Sequence, residues 1–137
     1  MSMLTDAIAI PIRTEADIVS ARQTGRRMAS ELGFTPSELT MIATAISELA
    51  RNVVTYAGSG EVLLELRQDA GRRGILVTAR DEGPGIPDVE AAMQDGFSTG
   101  SSLGLGLPGA RRLMDEFDVV SAPGQGTTVT ATKWAGE

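Results

Sequence analysis

The segment at residues 81–87 places Asp81 and two glycines directly after an apolar run at residues 75–80. That run predicts a buried strand that ends on Asp81. A carboxylate fixed at a strand end can accept hydrogen bonds from a flat heterocycle. Gly83 and Gly85 let such a ring contact the backbone, because no Cβ intervenes. The segment is therefore typical of a site for a purine ring.

Glu48 and Asn52 stand four residues apart in a second segment that can do chemistry. A helix start is indicated just before them by Thr35 as N-cap, Pro36 at the first helical position and Glu38 completing a capping box. Apolar residues then recur at three- and four-residue steps and predict one long helix with the apolar face Leu39, Ile42, Ala43, Ile46, Leu49, Ala50 and Val53. Glu48 and Asn52 are neighbours on its opposite, polar face. Taken alone, such an exposed pair is most often simply solvated.

A third segment, Gly104-x-Gly106-x-x-Gly109, has the letters of a dinucleotide-binding fingerprint but not its context. That fingerprint follows a strand, whereas here a polar stretch at residues 88–102 comes first. Small residues at a helix N-terminus still expose backbone N–H groups, and the helix dipole favours an anion there. The segment predicts either a phosphate-binding helix start or a glycine-rich start required for close packing. The polar stretch before it has the length of a functional lid.

The composition narrows the classes of chemistry. The chain has 137 residues, a hydrophobic fraction of 42% and a net charge of −6, so we expect one globular domain over residues 1–137 and no nucleic-acid partner. It contains neither cysteine nor histidine, which excludes disulfides, thiolate or histidine metal sites and a Ser-His-Asp triad. No apolar run has the length of a membrane span, and no signal-peptide pattern opens the chain. We therefore expect a cytoplasmic protein without membrane contact.

The elements that must position these residues alternate between helices and strands. Sequence patterns predict strands at residues 7–12, 62–66, 75–80, 117–121 and 127–134, and helices at residues 15–32, 36–57 and 103–116. Pro11 indicates that the first strand lies at an edge. This order predicts an α+β fold, a two-layer α/β sandwich with helices on one face of a mixed, mainly antiparallel sheet.

The first predicted helix carries Arg22, Arg26 and Arg27 beside a thin apolar stripe. Two interpretations stand equally: a solvated basic face, or a docking surface for an acidic partner.

Four motifs stand in one order along the chain: Glu48-x-x-x-Asn52, Asp81-x-Gly83-x-Gly85, Gly104-x-Gly106 and Gly126-Thr127-Thr128. This order and spacing resembles the Bergerat-fold (GHKL) ATPases, the superfamily of gyrase, MutL and the histidine kinases. The segments 42–52 and 104–117 look like the bacterial serine kinases of the partner-switching class, and most like the stressosome switch kinases. A histidine kinase is disfavoured because the chain has no histidine.

The resemblance implies a site for ATP or ADP. Asp81 would accept a hydrogen bond from the adenine amino group, and Gly85 would let the ring lie against backbone. Thr127 would support the adenine through water. Gly83 and Ile86 belong to the same adenine-binding segment.

The resemblance also implies roles at the phosphate end. Asn52 would bind Mg²⁺ through its amide oxygen, a hard donor that suits this ion. Glu48 would lie near the γ-phosphate and act as general base toward a substrate hydroxyl. The remaining contacts would come from Thr99 and Gly100 in the lid and from the backbone N–H groups near Gly104, Leu105 and Gly106.

Protein substrates follow from the same resemblance. They would be serine or threonine residues of a STAS-domain antagonist and of its paralogue, the scaffold of a sensory complex. Phosphorylation would release the kinase, which would then bind and activate a PP2C-type phosphatase. Relatives of this class also form homodimers. Two alternatives stay open: an anti-sigma factor kinase of the same fold that sequesters a sigma factor, and a nucleotide-binding protein without transfer activity.

Overall fold

The computed structural model describes residues 2–4, 7–84 and 106–135. Its elements follow in the order β1 (Ser2–Leu4), β2 (Ile8–Ile12), α1 (Glu15–Ala29), a 3-10 turn (Ser30–Leu32), α2 (Pro36–Ala57), β3 (Gly60–Asp69), β4 (Arg72–Asp81), α3 (Gly106–Leu113), β5 (Glu116–Ser121) and β6 (Thr127–Trp134). The predicted alternation of helices and strands is therefore present in this part of the chain.

The strands form one six-stranded sheet in the order β1-β3-β4-β6-β5, and β2 also pairs with β3. Every pairing among these strands is antiparallel, where the sequence led us to expect a mixed, mainly antiparallel sheet. Short turns join β3 to β4 and β5 to β6, and such hairpin connections make the joined strands antiparallel. Within the described sheet β2 pairs with β3 alone, so Pro11 lies on an edge strand as predicted.

The three helices of the described part cover one face of the sheet. On β4 the buried Ile75, Val77 and Ala79 alternate with more exposed residues, so one face of the strand turns toward the helices. α2 packs on β3 and β4 and lies against both α1 and α3. The predicted two-layer sandwich is confirmed, with its core between the sheet and α2.

Local capping fixes where α1 and α2 begin. The Thr35 hydroxyl accepts a hydrogen bond from the Glu38 N–H over 3.1 Å, and the Glu38 carboxylate accepts one from the Thr35 N–H over 2.8 Å. Thr14 and Asp17 form the same reciprocal capping box at the start of α1. Because Asp17 accepts the Arg13 N–H, the pKa of its carboxyl lies below the ordinary value. Both helix starts follow from sequence as predicted.

Gly25 is the point at which α1 crosses α2. It is buried, and a Cβ built on it would overlap the Ile46 side chain. Only a glycine lets the two helices approach this closely. The contact places α1 firmly against the middle of α2, two residues before Glu48.

Long-range contacts move the end of α3 away from its predicted position near residue 116. The Lys133 ammonium donates to the Leu113 carbonyl over 2.9 Å and so caps the helix C-terminus. The Asp115 N–H donates to the Thr132 carbonyl over 2.9 Å, so the chain joins β6 directly after the helix. Sequence patterns also missed β1 and predicted β3 shorter than its ten residues.

Candidate functional site

Glu48 lies at the junction of α2 and α3. Glu48 is only 9% exposed. This corrects the expectation of an exposed position on a polar helix face. α3 packs on this side of α2 and covers it. The Gly106 N–H, at the first residue of α3, donates to Glu48 Oε2 over 3.0 Å. The acidic side chain therefore occupies one of the free backbone donors of a helix N-terminus.

Arg51, one turn after Glu48, lies between two carboxylates. Its guanidinium is 3.7 Å from Glu48 Oε1 and 3.4 Å from Glu15 Oε2 in the first turn of α1. The resemblance of this sequence to the Bergerat-fold ATPases gave no role to Arg51. Its i, i+3 spacing from Glu48 is the signal in the sequence that points to the first contact. No sequence spacing points to Glu15, 36 positions away from Arg51.

Asn52 is half-buried on α2, one turn after Glu48. The two side chains share one side of the helix, as their spacing predicted. Within residues 2–4, 7–84 and 106–135 there is no cluster of three or more acidic, histidine or cysteine residues that could hold a metal ion. A metal bound at Asn52 would therefore take most of its ligands from elsewhere.

Asp81 is the last residue of β4, as predicted. It comes two residues after the buried Ala79, so it lies on the face of the strand that turns toward the helices. Its Oδ1 accepts the Gly83 N–H over 2.9 Å. A Cβ on Gly83 would lie 2.5 Å from the Ala57 Cβ, so the segment after Asp81 packs against the last turn of α2. The helix that carries Glu48 and Asn52 therefore also contacts the Asp81 segment.

These contacts set the distance between the two ends of the site. From Glu48 to Ala57, nine residues of α2 correspond to roughly 13.5 Å along the helix axis. A carboxylate at a strand end and a carboxylate at a helix N-terminus are thus held at the two ends of one helical segment. An extended nucleoside triphosphate can span such a separation.

Thr127 faces Asp81 across the sheet as its direct Cα partner on β6. It is buried, and its hydroxyl lies 2.8 Å from the Ser121 hydroxyl. Ser121 Oγ also donates to the Gly126 carbonyl over 3.0 Å. Sequence reasoning gave no role to Ser121, and its position opposite Thr127 became visible only from the β5–β6 register.

Gly126 fits where a larger residue would not. Its φ of +77° is in the left-handed region, and a Cβ on it would overlap the Asp81 carbonyl oxygen. The fourth motif of the sequence therefore contacts the second motif through backbone. A cleft of about 820 Å³ opens at this end of the sheet beside Asp81, Gly83 and Ala57.

Six predicted site residues lie outside the described part of the chain: Gly85, Ile86, Thr99, Gly100, Gly104 and Leu105. The predicted positions that the structure describes fall in two places. Glu48 and Gly106 meet at the α2–α3 junction, and Asn52 lies one turn further along α2. Asp81, Gly83 and Thr127 lie at the end of the sheet.

Comparison with known families shows which family this chain belongs to. The sequence model of the histidine kinase-like ATPase domain family (HATPase_c_2) matches residues 11–133. The chain belongs to this family, and the Bergerat-fold resemblance is confirmed.

Two similar proteins are a serine/threonine-protein kinase and an anti-sigma factor. The chain is 52% identical over 131 residues to the serine/threonine-protein kinase RsbT of Bacillus subtilis, and the match covers 96% of this chain and 98% of that protein. It is 36% identical over 120 residues to an anti-sigma F factor of Caldanaerobacter subterraneus, covering 85% and 84% of the two chains. The resemblance to the stressosome switch kinases is therefore confirmed.

Two solved structures share the fold. The RsbU and RsbW domains of Rv1364c from Mycobacterium tuberculosis align with a TM-score of 0.64 at 21% identity, over 97% of this chain and 34% of that one. The SiaB–SiaC complex from Pseudomonas aeruginosa aligns with a TM-score of 0.54 at 13% identity, over 96% and 90%. At these identities the two structures support the fold assignment alone.

Proposed function

We propose that this protein is an ATP-dependent serine/threonine protein kinase of a partner-switching system. The observation that carries the proposal is the Glu48 carboxylate, buried at the N-terminus of α3 and bonded to the Gly106 N–H. A base held beside anion-binding backbone donors is the arrangement that phosphoryl transfer to a hydroxyl needs. The 52% identity to RsbT over nearly the whole chain supports the same activity.

The adenine would bind at the end of the sheet. Gly83 already donates to Oδ1 of Asp81, so we propose that Oδ2 accepts the hydrogen bond from the adenine amino group. Thr127, oriented by Ser121, supports this end through its hydroxyl or a water. The remaining adenine contacts in the proposal come from Gly85 and Ile86.

The phosphates would bind at the start of α3. Gly106 contributes a backbone N–H there, and the helix dipole favours their negative charge. The proposal assigns the neighbouring contacts to Gly104, Leu105, Thr99 and Gly100. A triphosphate that bonds to Gly106 must displace Glu48 Oε2 from it. Glu48 then becomes free to accept a proton.

The side chains present can bind Mg²⁺ if phosphate oxygens of the nucleotide provide most of the ligands. Asn52 offers one amide oxygen, a hard donor, one turn from Glu48. Because the described residues hold no acidic or histidine cluster, Mg²⁺ bound there depends on the nucleotide. This ion neutralises charge on the phosphates.

The proposed transfer is a direct displacement. The substrate hydroxyl oxygen forms a bond to the γ-phosphorus, and the bond from this phosphorus to the β–γ bridging oxygen breaks. ADP leaves with the electron pair, and the hydroxyl proton passes to Glu48. ADP then dissociates from the Asp81 end of the site.

The substrates we propose are a STAS-domain antagonist and its scaffold paralogue, and the released kinase would activate a PP2C-type phosphatase by binding. Arg26 and Arg27 are exposed and Arg22 is half-buried on α1, where they offer positive charge to an acidic partner surface. We also propose that the chain acts as one domain, in the cytoplasm, and that it is able to form a homodimer. No helix of the described residues is both long and apolar enough to cross a membrane.

A second candidate function is that of an anti-sigma factor kinase. The 36% identity to an anti-sigma F factor over 85% of the chain favours it. The higher identity and coverage of RsbT place the first function ahead. Pull-down with the purified protein separates them: capture of a PP2C-type phosphatase supports the first, and capture of a sigma factor alone supports the second.

The experiment that tests the kinase is transfer of γ-labelled phosphate from ATP to purified STAS-domain proteins encoded near this gene. We expect label on a STAS partner with the wild-type protein and a loss of about 10²- to 10⁴-fold in Glu48→Gln. Glu31→Gln, an exposed site in the turn after α1, is the matched control. Normal transfer by Glu48→Gln would refute the base assignment, and no label with any STAS partner would refute the kinase.

A further inference from the structure

The Glu48 carboxylate has a different contact on each of its oxygens. Oε2 accepts the Gly106 N–H over 3.0 Å, and Oε1 faces the Arg51 guanidinium at 3.7 Å. The first contact is to a donor that the proposed function gives to phosphate. Once phosphate takes that donor, Arg51 is the described side chain that still holds Glu48.

Arg51 is itself anchored from another element. Its Nη2 is 3.4 Å from Oε2 of Glu15, in the first turn of α1. A guanidinium carries five N–H donors in a rigid plane and can therefore face two carboxylates at once. The Arg51 side chain is 34% exposed and the Glu48 side chain 10%, so this ion pair is partly shielded from solvent.

We propose that Arg51 is a positioning residue for the phosphoryl-transfer reaction. It holds Glu48 through Oε1, so that Oε2 turns toward the substrate hydroxyl when the phosphates bind Gly106. Glu15 holds Arg51 in turn and so links the start of α1 to the base. This inference rests on the proposed kinase function and adds a residue to its site.

The competing interpretation is an ordinary surface ion pair. Exposed pairs such as Glu15–Arg51 usually contribute about 1 kcal/mol or less to stability. Removing such a pair would lower the free energy of unfolding slightly and would leave both the nucleotide affinity and the transfer rate unchanged. A positioning role predicts the opposite pattern, a lower turnover with unchanged binding.

The experiment compares wild-type protein with Arg51→Gln, Arg51→Lys and Glu15→Gln under single-turnover conditions with a STAS partner. We expect Arg51→Gln to lower the transfer rate about 10- to 100-fold, because a misplaced catalytic group loses most of its effect. Affinity for a fluorescent ADP should stay within about twofold of wild type, because Arg51 does not touch the nucleotide in this proposal. Glu15→Gln should lower the rate about two- to fivefold, the share of an exposed ion pair.

Arg51→Lys is the rescue variant, and Arg73→Gln on the exposed part of β4 is the matched control. Lysine keeps the charge but not the planar fork, so it should recover part of the lost rate. A transfer rate in Arg51→Gln equal to wild type overturns the inference alone. So does a loss that lysine does not relieve and that a lower unfolding midpoint accompanies. No transfer by the wild-type protein overturns the proposed function and this inference with it.

Discussion

Glu48 on α2 accepts a hydrogen bond from the backbone N–H of Gly106, the first residue of α3, over 3.0 Å. These residues are 58 positions apart, and the bond joins the proposed base to the proposed phosphate site. The carboxylate and a phosphate would compete for the same donor. While it is bonded to Gly106, the Glu48 carboxylate is therefore held away from the position that we propose for it in phosphoryl transfer.

This competition predicts that Glu48→Gln binds ATP more tightly while it loses phosphoryl transfer. Removing the negative charge lowers the cost of giving Gly106 to the phosphates, and we expect about a three- to tenfold gain in affinity. Isothermal titration calorimetry with Mg²⁺ and ATP measures it, with Glu31→Gln as control. Weaker binding by Glu48→Gln would mean that the two anions do not share the donor.

Asp81→Asn should shift the nucleobase preference of the site from adenine toward guanine. Since the Gly83 N–H already bonds to Oδ1, the new amide NH₂ would face the adenine amino group, and two donors would meet. We expect ATP affinity to fall by about 10²-fold or more and GTP, which offers an acceptor at that position, to gain. Titrations of both nucleotides against this variant and the exposed control Asp118→Asn decide it. Equal ATP affinity in both variants would contradict the adenine assignment.

Asn52→Asp should change the metal requirement. A carboxylate is a stronger ligand for a hard cation than an amide, so half-maximal transfer should need less Mg²⁺. Titration of the transfer rate with Mg²⁺ tests this, and Gln23→Glu adds the same charge at an exposed site of α1. A Mg²⁺ titration curve identical to wild type would count against Asn52 as ligand.

Gly126→Ala should destabilise the fold through the Asp81 backbone. The substitution combines the cost of a left-handed residue, about 1–2 kcal/mol, with overpacking against the Asp81 carbonyl, about 1–3 kcal/mol. Gly124→Ala has the same φ of +77° but open space around its Cβ, so it should lose only the first part. Urea unfolding of the two variants gives the difference. Equal losses would show that the close approach at Gly126 carries no energy.

Glu116 makes part of the free energy of unfolding depend on pH. Its hydrogen bond from Trp134 Nε1–H, with help from Arg67, holds the pKa of the Glu116 carboxyl below its ordinary value of 4.5. A carboxyl with a lowered folded-state pKa stabilises the fold above pH 4.5, and that contribution disappears as the pH falls through the lowered value.

We therefore expect Glu116→Gln to reduce the free energy of unfolding at pH 7 by about 1 kcal/mol or less, since the side chain is half exposed. The difference from wild type should disappear in strong acid. Urea unfolding across this pH range, with Asp118→Asn on the same strand as control, measures both. A difference that persists unchanged in acid would contradict the charge-based account.

Sequence alone determined the features that depend on neighbours within a few residues. The capping box at Thr35 and Glu38 fixed the start of α2, and the apolar run before Asp81 fixed the end of β4. Residues 127–134 were predicted as β6 with its exact limits. These signals are local because a cap or a strand pattern is completed by residues adjacent in the chain.

Tertiary structure alone decided which distant residues meet. Helical periodicity put Glu48 on a polar face, and only the packing of α3 buried it. The contact from Glu15 to Arg51 and the approach of Gly126 to Asp81 likewise join elements far apart in sequence. Spacing within one element gives direction along that element, whereas contact between elements depends on how their surfaces pack. The residues proposed for the site, apart from Arg51 and Ser121, were therefore visible in the sequence, but the contact between Glu48 and the Gly106 N–H was not.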